Sequence, residues 1–432
     1  MEKFFQLKNH KTTVKREVIA GLTTFLTMSY IMFVNPSILS ATGMDKGALI
    51  TVTALASFIG TFLVAVWANV PFAMAPGMGL NAYFTYTLVI GEKVDWQTAL
   101  GVVFLSGVFF LILTLIGVRE KIVNAIPLSL RISISSGIGL FITFIGFKNL
   151  GLIVDNPATL VSLGHLTTPV ILGLIGVFVI AILEVKKIKG SILIGILITT
   201  ILGIIFGEVA MPKEIISLPH SIAPIAFKLN IMAAFKWGLF GAIFSFMFVD
   251  LFDSIGTILA CSYEAELVKK DGTVKKIEKM LGADAIATIS GAVLGTSTTT
   301  TYIESSSGIA DGGRTGLASV VTAVMFLIAL VFTPIISIVP AFATAPALII
   351  VGVFMFKNIK NINFSDFSES VPAFLTIILM PLTYSISTGL IFGFLSYIII
   401  NAFSGNLKKI SLTMWIIGIL SAIDLYITAF IH

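Results

Sequence analysis

The sequence predicts an all-α polytopic membrane protein of about fourteen transmembrane spans, built as two inverted seven-span repeats with core and gate domains. Composition, charge placement and an internal repeat each point there. Of 432 residues, 57% are hydrophobic and 11% charged, and the mean hydropathy is +1.05, more apolar surface than a soluble domain of this size could cover. Roughly 20 apolar residues cross the hydrocarbon core as a helix. Such stretches recur from near Glu17 to near Ser404, separated by short polar joints. The first is of spanning length, carries Asn35-Pro36 near its end and lacks a small-residue cleavage site, so it reads as span 1 and not as a cleaved leader.

Basic residues orient the spans. With the N-terminus cytoplasmic, all 27 Lys and Arg fall inside except Lys46, Lys93, Lys148, Lys213, Lys228 and Lys236. This is the asymmetry of the positive-inside rule, and it accounts for the net charge of +5 without a nucleic-acid partner. The expected location is the cell (inner) membrane. Cys261 is the only cysteine, and His10, His165, His220 and His432 all fall in tails or joints, so neither a metal site nor another cofactor is expected.

The two halves resemble each other. Ile31-Met-Phe-Val-Asn35 returns as Phe246-Met-Phe-Val-Asp250, Phe147-Lys-Asn149 as Phe356-Lys-Asn358, and Asn124-Ala-Ile-Pro127 falls where Ser337-Ile-Val-Pro340 falls, at offsets of 215, 209 and 213. Seven spans per half force the second repeat into the membrane upside down, so Lys148 falls outside and Lys357 inside. Inverted repeats are the plan of many secondary transporters, whose sites lie near the midplane where the repeats meet.

The third span of each half is interrupted. Ala73-Met-Ala-Pro-Gly-Met-Gly-Leu-Asn-Ala82 contains residues that continue a helix poorly, and Gly295 precedes the β-branched run Thr296-Ser-Thr-Thr-Thr-Thr301, which favours extended chain. Extended backbone at membrane depth must be satisfied within the protein. The two segments are therefore expected to pair with each other or to flank one cavity, each feeding a half-helix whose N-terminus points at it. Asn81 and Glu304 lie just past the breaks, and Gly79, Thr301 and Ser305 line the same segments.

Two carboxylates stand inside long apolar stretches: Asp253, in Phe248-Val-Asp-Leu-Phe-Asp-Ser-Ile-Gly256, and Glu304, in Thr298-Thr-Thr-Thr-Tyr-Ile-Glu-Ser-Ser-Ser-Gly308. Charge at that depth normally faces a cavity or a partner and marks a substrate or ion path. Asp250, three residues before Asp253, shares nearly the same helix face. Two carboxylates so close in low dielectric cannot readily both ionise, which is a physical basis for binding and releasing a coupling proton.

The runs Ala75-Pro-Gly-Met-Gly-Leu-Asn-Ala82, Phe248-Val-Asp-Leu-Phe-Asp-Ser-Ile-Gly-Thr257 and Glu304-Ser-Ser-Ser-Gly-Ile-Ala-Asp-Gly-Gly-Arg-Thr-Gly316 together resemble the AzgA-like purine permeases of the nucleobase and ascorbate transporter superfamily. The resemblance runs nearly end to end. It implies a proton-coupled importer of adenine, guanine or hypoxanthine, with a core of residues 17–118 plus 234–338 moving against a gate of 129–207 plus 342–404. The repeats would then be 17–207 and 234–404, followed by an extra apolar segment over 410–432. Dimers are common in the superfamily. The uracil and xanthine branches carry an Asn directly after the acidic or amide residue of span 10 and a Gly two further on, where this chain has Ser305-Ser-Ser-Gly308.

The chemistry agrees. A purine base is a flat, mostly neutral disc edged with N–H donors and ring acceptors, so a carboxylate can accept two of its hydrogens side by side. Glu304 fits that task, Asp253 the opposite edge or the coupling proton, and Asn81 the remaining edge. An anion exchanger of related fold is the alternative, although two midplane acids would repel its substrate. A passive channel would need polar rings along its whole length, and the protease motif Gly-x-Gly-Asp is absent, so no enzyme is expected. Glu264–Lys279 reads as a solvated hairpin around Asp271-Gly272, and Gly312-Gly313-Arg314 lacks the spacing and lysine of a phosphate loop, leaving Arg314 to anchor the end of span 10. Asp424 interrupts the apolar tail, whose crossing of the membrane the sequence leaves open.

Overall fold

A computed structural model describes residues 2–117, 125–212, 214–235, 239–268 and 274–430. Asn124 of the third repeat match, Arg119, Lys121, Lys213, Lys236, Lys269, Lys270, the Asp271-Gly272 turn and His432 lie outside the described residues.

Among the described residues, nine helices are long and apolar enough to cross a membrane: spans 1, 2, 4, 5, 6, 8, 11, 12 and 14 of the fourteen expected. Spans 7 (Ser191–Ile205) and 13 (Phe367–Leu382) are shorter apolar helices, and spans 3 and 10 are broken. Span 9 (Ile277–Leu294) has spanning length but includes Glu278, Lys279 and a fully buried Asp284. Helix ends are fixed locally. Asp45 and Asp95 accept from the backbone N–H of Ala48 and Thr98 to start spans 2 (Lys46–Trp67) and 4 (Trp96–Leu115), and Ser385 does the same for span 14 (Ile386–Phe403).

The helices sort by packing. Spans 1 to 4 pack with spans 8 to 11, as where span 2 lies against spans 9 and 11 and span 4 against spans 8 and 9. Spans 5 to 7 pack with spans 12 to 14, with span 5 (Leu128–Leu150) against spans 12 (Ala341–Phe356) and 13. Small residues allow the closest approaches: a Cβ on Gly308 would stand 2.4 Å from the Ala20 carbonyl oxygen.

Strand β1 (Met74–Pro76) belongs to span 3 and β4 (Thr299–Thr301) to span 10, and they pair antiparallel with Met74 opposite Thr301 and Pro76 opposite Thr299. The short hairpin β2 (Ile153–Asn156) and β3 (Leu160–Leu163) joins spans 5 and 6. Val268 bridges Val274, so the arms of the expected hairpin before span 9 do meet. The tail forms a helix, Leu412–Phe430, that packs on spans 14 and 8. Its Asp424 carboxylate lies against Gly241, in the first turn of span 8 (Phe240–Glu264), so this helix runs back along the bundle beside span 14.

Candidate functional site

Extended chain in an apolar medium needs partners for its backbone groups, and the crossing of β1 and β4 supplies many of them. Beyond the ladder, Gly77 N–H donates to the Thr298 carbonyl (3.0 Å) and Tyr302 N–H to the Ala73 carbonyl (2.9 Å). The Tyr302 hydroxyl donates to the Pro76 carbonyl at 2.5 Å, and the Ala73 N–H reaches Ser305 Oγ at 3.0 Å. Span 9 holds the far side of β4: Asp284 accepts from Thr301 N–H (3.2 Å) and from Ser254 of span 8 (2.6 Å), while Thr288 bonds Thr299 and Asp250. Each strand then feeds a short helix, Met78–Ala82 or Ser305–Ala310.

The carboxylates stand around this crossing. Glu304 precedes the first turn of Ser305–Ala310, and its Oε1 accepts the Tyr30 hydroxyl at 2.5 Å. Strand alternation turns Thr300 away from the neighbours that face span 9, and its hydroxyl is the partner of the half-buried Asp253. Asp253 and Glu304 lie within electrostatic reach of each other and of Tyr30 and Tyr302. Asn81, fully buried, accepts the Ser297 hydroxyl through Oδ1, and its Nδ2 has no partner among the described residues. A buried donor of that kind at a polar crossing is suited to a ligand acceptor. Among the described residues no Lys, Arg or His pairs with either carboxylate. Carboxylate acceptors with no paired cation among the described residues suit N–H donors better than an anion.

Glu304 and Asp253 are therefore brought together, while Asn81 is joined to Ser297, just ahead of β4. At the edge of the crossing Ser305 accepts from the Ala73 N–H and Asp250 from the Thr288 hydroxyl, the Thr301 N–H is itself held by Asp284, and a Cβ on Gly79 would stand 2.5 Å from Ile138 of span 5, so Gly79 marks a close approach between the two helix groups. Asp250 and Asp253 share a helix but turn to different partners, Thr288 and Thr300. Three residues escaped the sequence reading. Asp284 carries the signal that singled out Asp253, a charge within an apolar helix. Asn35, which donates to Thr53 (2.7 Å) and Thr296 (3.1 Å), stands opposite Asp250 in the repeat match. Tyr30 has no sequence signal of its own.

The Lys-rich end of the bundle is built on the same half-helix. Arg314 donates to the carbonyls of Ile309 (2.7 Å) and Gly313 (2.8 Å), anchoring the end of span 10 as expected. Buried Glu17 accepts from the N–H groups of Arg314, Thr315 and Ala318, capping span 11 (Gly316–Ser337). Asp311 receives Lys189, from the turn between spans 6 and 7, and the Thr23 hydroxyl at 2.6 Å. Burial alone would raise its carboxyl pKa, but Lys189 and Thr23 outweigh burial and hold it below the ordinary value.

The bundle of apolar helices and its polar strand crossing define a multi-pass membrane protein. Its fold is that of the transmembrane domain of the cyanobacterial bicarbonate transporter BicA, with a TM-score of 0.67 at 15% identity over 88% of this chain and 97% of that one. Residues 15–392 match the family model Xan_ur_permease, described as Permease family, and the chain belongs to that family. It is 44% identical to the adenine permease AdeP of Escherichia coli K12, over 97% of this chain and 94% of AdeP. It is also 44% identical to the guanine/hypoxanthine permease PbuG of Bacillus subtilis 168, over 96% of this chain and 97% of PbuG.

Proposed function

We propose that this permease takes up purine nucleobases, hypoxanthine, guanine or adenine, together with protons. The reading is supported by the Asp253–Glu304 pair at the strand crossing, which has no paired cation among the described residues. Relatives named for adenine and for guanine and hypoxanthine support the substrate class. Glu304 accepts N–H groups from one edge of the base, and Asn81 donates to a ring acceptor. Asp253 carries the coupling proton, with Glu304 and Asp250 as the other carboxylates able to share it. An anion-exchange reading has against it two acids that would repel the substrate.

The two helix groups supply the moving parts. Spans 1 to 4 with 8 to 11 act as a core that slides against a gate of spans 5 to 7 with 12 to 14, carrying the site in an elevator-like motion. The Lys-rich end is cytoplasmic, in keeping with the placement of Lys186, Lys187, Lys189, Lys357, Lys360, Lys408 and Lys409. Uptake of radiolabelled hypoxanthine into proteoliposomes, with and without an imposed pH gradient, tests both halves. Accumulation that requires the gradient and is blocked by unlabelled guanine or adenine is expected; uptake indifferent to the gradient removes proton coupling, and no purine uptake removes the substrate assignment.

A further inference from the structure

Tyr30 sits where span 1 is interrupted, between the helices Val14–Met28 and Ile31–Leu39, and none of its surface is exposed. Its hydroxyl donates to Glu304 Oε1 at 2.5 Å. The other tyrosine near both carboxylates, Tyr302, has its hydroxyl committed to the Pro76 carbonyl. One phenol hydrogen is thus aimed at one particular oxygen of the substrate-facing acid.

We propose that Tyr30 is a positioning residue that fixes which oxygen of Glu304 serves the ligand and thereby sets the ranking among purine bases. The inference rests on the purine reading of the site. An oxygen that already receives a hydrogen bond is the poorer seat for a proton, so neutral Glu304 carries its hydrogen on Oε2, and ionised Glu304 presents Oε2 to the base. Hypoxanthine offers a single ring N–H on its 6-oxo edge. Guanine offers a ring N–H and an exocyclic amine side by side, which matches a carboxylate with both oxygens open. With Oε1 engaged by Tyr30, guanine's second donor competes with the phenol hydrogen, and the single-donor base is favoured.

The test is equilibrium binding of guanine and hypoxanthine to purified parent, Tyr30→Phe and Tyr302→Phe proteins, read as the ratio of the two dissociation constants. Tyr30→Phe moves the ratio toward guanine by about tenfold or more, the worth of one hydrogen bond to a charged group, while Tyr302→Phe leaves it within about twofold. An unmoved ratio in Tyr30→Phe, whether both affinities hold or both fall together, overturns the proposal. If Tyr30→Phe does not fold, a fluorinated tyrosine placed at position 30 keeps the packing and strengthens the donor. The ratio then moves toward hypoxanthine, and an unmoved ratio is again contrary. A parent protein that binds neither base is a different failure, visible before any variant is made, and it removes the purine reading itself.

Discussion

Thr61 and Thr288 hold the two half-strands by the same pair of hydrogen bonds. The Thr61 hydroxyl accepts from Met74 N–H (2.9 Å) and donates to the Met74 carbonyl (3.0 Å); the Thr288 hydroxyl accepts from Thr299 N–H and donates to its carbonyl, both at 3.2 Å. Each threonine lies on the second helix of its repeat, and each partner is the first residue of its strand. The halves differ in one respect: Thr288 shares its hydrogen with Asp250. The device that steadies the crossing is thus repeated, and in the second half it is also wired to a carboxylate.

Replacing either threonine by the isosteric valine leaves a buried N–H and a buried carbonyl without their partner. Thr61→Val and Thr288→Val are each expected to lower stability by roughly 1 to 3 kcal/mol, measured by unfolding of the purified protein in detergent. Losses below about 0.5 kcal/mol in both would mean that the strand pair does not depend on these bonds.

Removing the proposed proton carrier is expected to separate accumulation from exchange. Asp253→Asn is expected to abolish accumulation driven by a pH gradient while base-for-base exchange continues. Gradient-driven accumulation equal to that of the parent would take Asp253 out of the coupling mechanism.

The Lys189–Asp311 pair spans the two helix groups at the Lys-rich end, with Asp311 capping the six-residue helix that follows Glu304. A cysteine pair at these positions is expected to arrest uptake when oxidised and to restore it on reduction. Crosslinked protein that transports at the reduced rate would show that the core does not move against this turn. Because the Asp311 pKa is depressed, the native pair is fully formed above the ordinary carboxylate pKa and is lost only as pH falls through the lowered value, so near-neutral assays leave it intact.

Exposed Lys148 and Lys357 belong to equivalent segments of the inverted repeats. With Cys261, buried, replaced by serine, Lys148→Cys is expected to react with an impermeant thiol reagent from outside and Lys357→Cys only after permeabilisation. External labelling of both would contradict the proposed orientation.

Much of this fold was legible in the sequence because lipid leaves few choices. Apolar length marked the spans, Pro76-Gly77 and the threonine run marked the breaks, and the obligation to satisfy extended backbone left two outcomes, pairing of the segments or a shared cavity, of which β1 and β4 show the pairing. Asp253 and Glu304 announced themselves as charges at membrane depth. Asp284 carries the same mark, but within a helix that also holds Glu278 and Lys279 and so stands out less. Tyr30 could not be read, since a tyrosine in a span is ordinary until folding places a carboxylate 2.5 Å from its hydroxyl. Nor did the sequence say how the tail runs, because Asp424 against Gly241 is a contact between segments far apart in the chain.

Affinity tests most directly the proposed binding of the base by Glu304. Glu304→Gln keeps the shape but replaces one acceptor by a donor aimed at the purine N–H. It is expected to weaken binding of the preferred base by roughly 2 to 4 kcal/mol, or about 30- to 1,000-fold, while Glu278→Gln on the exposed first turn of span 9 changes nothing. Purified Glu304→Gln protein that bound hypoxanthine, guanine and adenine each within about threefold of the parent would make Glu304 a structural brace and contradict the site described.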